Sequence, residues 1–407
     1  MDFPRPYTVF LILASLYLVL QLYLFLRLRS YLKVCSPDRR RRRFLSRLAT
    51  AFFLLMLLPL AWRALFGWLH YDLIPSVLRA FFGVWVFGAT GSALILLAYD
   101  LLRWLPFLFS PRPPAADVER RNFLKTGVGL AATAPFLVSG YGLFVGRQRF
   151  QVEHLELPLN GISSALSDLS IVQLSDIHVG PFMPPEELAA YVEAVNRLEP
   201  DLIALTGDFV ATSRDEAAPC AHALAGLKAR YGVFACLGNH DVFSGAEEEL
   251  TRLFTQRGIQ VLRNNAVHLR IKNTALNVLG IEDLHWGRPS LSRALNVVSR
   301  QPGEASLLLS HRPEIFPEAT RRGIDVVLSG HYHGGQIKLN SDPESLSIAR
   351  FLTPYAEGLF RLSSAFRPSE GDARNSILFV SRGIGITGLP IRINCPPQIA
   401  HLTLKSA

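Results

Sequence analysis

The chain has 407 residues, with 42 Lys or Arg against 33 Asp or Glu and a formal net charge of +9. The excess is uneven: residues 1–149 hold 19 basic and 6 acidic side chains, residues 150–407 hold 23 and 27. A C-terminal part that is itself mildly acidic argues against a nucleic-acid surface, and four cysteines without a paired Cys-x-x-Cys spacing argue against a disulfide framework or a zinc–cysteine site.

Apolar stretches run over 8–26, 48–66, 80–99 and 127–145, each near the ~20 residues that a helix needs to cross a bilayer. Four in succession, with hardly an ionisable group inside them, predict an all-α membrane domain of about four transmembrane helices over residues 1–149. Between the first two, Arg27 to Arg47 carries nine Lys or Arg and one acid, Asp38. Such a segment reads as a cytoplasmic loop, which puts the N-terminus outside, residues 103–125 inside, and everything after the fourth span outside. The expected location is the cell membrane, multi-pass, with the C-terminal domain extracytoplasmic. Arg120-Arg121-Asn122-Phe123-Leu124-Lys125 resembles a twin-arginine export motif, which names the export machinery as an expected partner. Ala132-Thr133-Ala134 resembles a cleavage box, but Pro135 follows it and it lies early in the stretch, so an uncleaved anchor is expected.

Residues 150–407 alternate two kinds of segment. The runs 169–174, 202–205, 233–237, 306–309 and 326–328 are short, apolar and β-rich, as suits strands buried on both faces. The stretches 185–198, 217–229 and 246–257 carry a helical pattern, and the alternation predicts an α/β fold. Each of the five runs ends in a polar motif: Asp176-Ile177-His178, Gly207-Asp208, Gly238-Asn239-His240-Asp241, Ser310-His311 and Gly330-His331-Tyr332-His333. Side chains at the carboxyl ends of neighbouring strands converge on one crevice, where open α/β sheets place their sites. His, Asp and Asn together suit divalent manganese, iron or zinc better than calcium, which takes oxygen alone. One buried His or Asp is as often a satisfied hydrogen-bonding group, but five agreeing motifs outweigh that reading.

In this order the motifs resemble the calcineurin-like metallophosphoesterase superfamily, over residues 150–407. The resemblance implies a four-layer αββα sandwich and hydrolysis of phosphate esters, with two divalent ions (Mn, Fe or Zn) as cofactors around one attacking hydroxide. It implies Asp176, His178 and His333 as ligands of the first ion, Asn239, His311 and His331 as ligands of the second, and Asp208 as the bridge. His240 is implied as the general acid at the leaving-group oxygen, with Asp241 as its orienting carboxylate. One departure stands out: many members carry an acidic or amide residue three positions beyond the bridging Asp, where this chain has Ala211, losing a supporting partner but no ligand. The tail, strand-like over 376–381 and 399–404, looks like the second sheet of the sandwich. Gly334-Gly335-Gln336-Ile337 and the segment from Leu389 to Pro397 resemble a membrane-anchored, often twin-arginine-exported branch of the superfamily.

The expected activity is therefore hydrolysis of a phosphomonoester, phosphodiester or pyrophosphate, small or lipid-linked, near the membrane surface. A lipid-pathway pyrophosphatase acting on a nucleotide-sugar lipid is the alternative enzyme and needs a cytoplasmic active site. A non-catalytic scaffold or sensor is the alternative of another class, and decay would be expected to remove part of the ligand set. Specificity is expected in residues 280–288 and 340–374, where Asp283 and His285 either contact substrate or hydrogen-bond within the loop.

Overall fold

The computed structural model describes residues 6–36, 38–66, 75–109, 118–299, 301–363 and 375–406. They form two compact units, Met1–Phe144 and Val145–Ala407. The first unit consists of α1 (Pro6–Cys35), α2 (Arg39–Phe66), α3 (Ser76–Phe109) and α4 (Val118–Tyr141). Among the described residues, Arg39–Trp62, Ser76–Leu105 and Phe123–Gly146 are long and apolar enough to cross a bilayer; the first expected span, 8–26, lies within α1 and is not among them. α1 and α3 outrun their apolar stretches at both ends, α2 begins before its own, and α4 begins before its own and passes into a π-helical turn, Gly142–Gly146. The basic segment expected as a loop is accordingly helical from Arg39 onwards. Asp38 makes this possible: its carboxylate accepts the N–H groups of Arg40 and Arg41 at 3.1 and 2.9 Å, an acid in the position where a helix N-terminus favours one. Inside the unit, Asp100 of α3 accepts from Tyr23 and Arg27 of α1 at 2.7 and 2.8 Å, so its charge is paired, as charges in such helices need to be.

The second unit packs two six-stranded sheets face to face, with helices on both outer surfaces: the expected αββα sandwich. The first sheet contains β1 (Gln151–Leu159), β2 (Ser170–Leu174), β3 (Leu202–Thr206), β4 (Val233–Cys236) and β5 (Ile259–Val261). The second contains β6 (Asn265–Ile271), β7 (Thr274–Gly280), β8 (Ala305–Leu309), β9 (Val326–Ser329), β10 (Gly358–Ser363) and β11 (Asn375–Val380). The last strand, β12 (Gln398–Ser406), returns to the first sheet between β1 and β2, giving the orders β1-β12-β2-β3-β4-β5 and β10-β11-β9-β8-β7-β6. Only β11 of the two tail strands thus joins the second sheet; β12 corrects that expectation.

Strand alternation divides the core. Leu202 and Ala204 of β3 face the other sheet, with Leu307, Leu309, Val326 and Leu328, whereas Ile203 and Leu205 face the helices α5 (Leu188–Arg197), α6 (Ala217–Leu224) and a further helix, Glu247–Gln256. Both faces being apolar explains why these strands read as continuous runs. The edge strands β6 and β10 alternate polar and apolar residues and were not anticipated, because one face meets solvent. α6 stops at Leu224, earlier than its pattern suggests, two residues before the poor helix former Gly226. Gln173 ties the sheets together just below their carboxyl ends, donating to Thr206 Oγ1 at 2.8 Å and to the Ser329 carbonyl at 2.9 Å.

Candidate metal centre

The polar motifs meet at the carboxyl ends of β2, β3 and β4 from one sheet and β8 and β9 from the other. Asp176, His178, Asp208, His331 and His333 have φ of 52°, 51°, 55°, 75° and 52°, a left-handed conformation that non-glycine residues rarely take and that costs on the order of 1 kcal/mol each. Cross-loop hydrogen bonds hold it: Asp176 N–H donates to the Gly207 carbonyl at 3.0 Å and His178 N–H to the Asp208 carbonyl at 2.9 Å. The loops also approach too closely for side chains. A Cβ on Gly330 would lie 2.1 Å from Asp176 Oδ2, and one on Gly385 would lie 2.0 Å from the Ile177 carbonyl oxygen, so only glycine fits there.

The ligand atoms gather in two sets. In one, His178 Nε2 lies 3.1 Å from His333 Nε2, which lies 3.3 Å from Asp176 Oδ1. In the other, His311 Nε2 lies 3.2 Å from both Asp208 Oδ2 and His331 Nδ1. Asp208 Oδ2 is also 3.5 Å from His178 Nε2, so this carboxylate stands between the sets. Within each set the ligand atoms are no more than 4.8 Å apart. The third residue assigned to the second set, Asn239, is buried, and its Oδ1 has no hydrogen-bond partner among the described residues; an orphaned amide oxygen costs about 1–3 kcal/mol unless a cation satisfies it. The donor set therefore fits two borderline divalent ions. His311 is aimed by its other nitrogen: Nδ1–H donates to the Thr206 carbonyl at 2.8 Å, which turns Nε2 towards Asp208.

Burial shapes the charge states. It pushes His178 down to about 3, and pushes His331 and His333 well below the ordinary histidine value, which keeps these rings in the neutral form that binds metals. Burial also raises Asp176 to about 6, although His311 pulls against it. His311 goes the other way: burial is outweighed by the carboxylates of Asp208 and Asp176, which push it up to about 10. His311 and His240 in turn hold Asp208 well below the usual carboxylate range despite its burial.

His240 lies beside both sets, with a ring nitrogen within 4.8 Å of ligand atoms of His178 and Asp208. Its partner differs from the expected one. Asp241 does not orient it: that carboxylate turns inward and accepts four backbone N–H groups, from Gly238, Asp208, Phe209 and Val210, at 2.8, 3.0, 2.7 and 3.2 Å. His240 Nδ1–H instead donates to the Ala211 carbonyl at 2.6 Å. The position that lacks the usual polar side chain thus serves through its main chain.

Asp283 proves to be buried and hydrogen-bonded within its loop. Oδ1 accepts the N–H groups of His285 and Trp286, and Oδ2 pairs with Arg312 Nε at 2.9 Å. Arg312, which follows His311 in the chain, reaches His331 Nε2 at 2.6 Å. Its place directly after His311 is the one signal that the chain offers for it. Arg392 lies within the tail segment from Leu389 to Pro397. It is fully buried, and it donates to the carbonyls of Arg382, Gly383, Gly385 and Cys395, which seats this segment beneath Asp176, whose own carbonyl accepts the Gly385 N–H at 2.7 Å.

Such a centre defines a metal-dependent hydrolase, and the comparisons specify which. The sequence profile described as calcineurin-like phosphoesterase matches residues 169–335. A transmembrane protein with metallophosphoesterase domain from Danio rerio is 30% identical over 339 residues, 79% of this chain and 73% of its own. Uncharacterised metallophosphoesterases from Bacillus subtilis and Helicobacter pylori are each 30% identical, covering 71% and 70% of this chain and 98% and 71% of their own. The chain belongs to the calcineurin-like metallophosphoesterases; it is a metal-dependent phosphoester hydrolase carried on membrane-spanning helices.

Two outcomes follow from this centre. Because His311 is held protonated at neutral pH in the metal-free site, loading divalent metal at pH 7.5 releases protons, and calorimetry in buffers of different ionisation enthalpy shows a buffer-dependent heat; a buffer-independent heat excludes that charge state. Asp241→Asn leaves buried N–H groups short of an acceptor and lowers stability by about 3 kcal/mol, or ~6–12 °C in Tm; an unshifted melting curve excludes the carboxylate as the organiser of these loops.

Proposed function

We propose that Asp176, His178 and His333 hold one divalent ion, that Asn239, His311 and His331 hold a second, and that Asp208 bridges them within a catalytic domain spanning residues 150–407. The observation that carries this reading is the position of Asp208 Oδ2, 3.5 Å from His178 Nε2 and 3.2 Å from His311 Nε2. When bound, such a pair of ions (manganese, iron or zinc) supplies a Lewis-acid grip on phosphate oxygens and a hydroxide nucleophile at neutral pH.

The residues around it divide the remaining work. With Nδ1–H engaged by Ala211, His240 presents Nε2 on the open side, 3.4 Å from Thr387 Oγ1, where it can carry a proton to the departing oxygen. Phe243 packs on the His240 ring at 4.4 Å, and Trp286, 55% exposed, stands 5.7 Å beyond it. This aromatic wall on the leaving-group side supports an ester whose alcohol has an apolar body, small or lipid-linked, and the acidic balance of the domain supports the same reading over nucleic acid. The charge pattern supports an extracytoplasmic domain. The Arg120-Arg121 motif, on the first turns of α4, supports delivery by the twin-arginine route.

Asp208→Asn or His333→Ala lowers metal content and abolishes hydrolysis of a phosphate ester, whereas His240→Ala keeps both metals. The latter lowers kcat by about 10²- to 10⁴-fold on esters with poor leaving groups and much less on activated aryl esters. Metal analysis beside the two rate series decides it: two ions surviving Asp208→Asn and His333→Ala sink the ligand assignment, and equal losses on both ester classes sink the general acid.

Topology has its own check. A reporter active only outside the cytoplasm is active when fused after Ala407, and Arg120→Lys with Arg121→Lys impairs delivery although the charge is kept. A cytoplasmic reporter in the unaltered chain reverses the orientation and favours the nucleotide-sugar lipid substrate; normal delivery of the double Lys variant removes only the export route.

A further inference from the structure

Within the first unit, α1 and α2 enclose an open groove of about 570 Å³, a volume in the range of small-ligand sites. Arg29 and Lys33 of α1, four residues apart, face it from one side; Arg42, Arg43 and Arg47 of α2 face it from the other. Among the described residues, none of these five cations has a carboxylate within ion-pair distance. The acids nearby are engaged elsewhere: Asp38 caps the backbone of α2 and Asp100 pairs with Arg27. Like charges spaced a helical turn apart and facing one another across a groove repel; Arg42 has the Asp38 carboxylate nearby, and among the described residues Arg29, Lys33, Arg43 and Arg47 lack a counter-charge.

The composition of the groove changes along its length. Beyond the cations come the hydroxyls of Ser46 and Thr50, and then Ala51 and Leu54, the start of the apolar stretch of α2. The cations therefore stand where the helix passes from polar to hydrocarbon surroundings, the level of lipid headgroups. Guanidinium forks match phosphate oxygens in pairs. We propose that this groove binds the phosphate of an anionic phospholipid, held by Arg29, Lys33, Arg43 and Arg47, with its acyl carbons over Ala51 and Leu54. A soluble phosphate offers the same charge without the apolar part. The site is independent of whichever ester the second unit hydrolyses.

The full chain, delipidated and reconstituted in phosphatidylcholine nanodiscs, is titrated with phosphatidylglycerol, and retained lipid is counted by native mass spectrometry. One phosphatidylglycerol per chain is expected to bind in preference to phosphatidylcholine. Arg43→Gln with Arg47→Gln, and separately Arg29→Gln with Lys33→Gln, weaken it by about 10- to 30-fold. Arg40→Gln with Arg41→Gln removes the same charge from outside the groove and changes binding by less than about threefold. Two pairs on different helices guard against one that fails to fold, which size exclusion reveals. The proposal is overturned by equal weakening in the control pair, by no preference over phosphatidylcholine, or by glycerol phosphate displacing the lipid at matched concentration, the mark of a soluble-phosphate site.

Discussion

The site depends first on a carboxylate that touches no substrate and no metal ligand side chain. Asp241 gathers the N–H groups of Gly238, Asp208, Phe209 and Val210 around its two oxygens, and hydrogen bonds to a charged acceptor are worth about 1.5–3 kcal/mol each. They join the loop after β3 to the loop after β4. The joined loops then fix their neighbours: Asp208 Oδ1 accepts the His240 N–H at 2.8 Å, and the Asp208 carbonyl accepts the His178 N–H at 2.9 Å. A displacement of Asp241 would pass to Asp208, His240 and His178 at once.

A second buried charge performs the complementary task under Asp176. Arg392 has backbone carbonyls where a buried guanidinium would ordinarily have a carboxylate. The two buried charges thus organise opposite poles of the main chain, an anion collecting N–H groups and a cation collecting C=O groups. Neither spends its charge on the other. This explains why the site tolerates five left-handed residues: the backbone is over-determined from both sides, the condition under which such strain persists.

The clustering of these His and Asp residues was legible in the chain because it depends on residue type and on position at the end of an apolar run, and both survive in a one-dimensional string. Asp241 could not be read, since following His240 in sequence is not the same as touching it: both lie on a short helix, Asn239–Phe243, where successive side chains point about 100° apart. Ala211 was opaque for a different reason, because its contribution is a carbonyl that every residue possesses. β12 was misplaced because its alternating pattern does not say which of two sheets it joins. Charge pattern reports sidedness, not conformation, so the helical form of the basic segment, divided between the end of α1 and the start of α2, is signalled only by the cap that Asp38 supplies.

The organisation of the rim follows from Asp283. One of its oxygens fixes the turn that carries Trp286; the other holds Arg312, whose guanidinium approaches His331. A single buried carboxylate therefore sets the spacing between an exposed aromatic side chain and a permanent cation beside the His and Asp cluster. Loops are where members of one fold diverge in substrate, yet this loop is anchored to the ligand that follows β9 through Arg312. The rim and the His and Asp cluster are joined through that contact, so the rim cannot be reshaped at Asp283 without moving the positive charge beside His331.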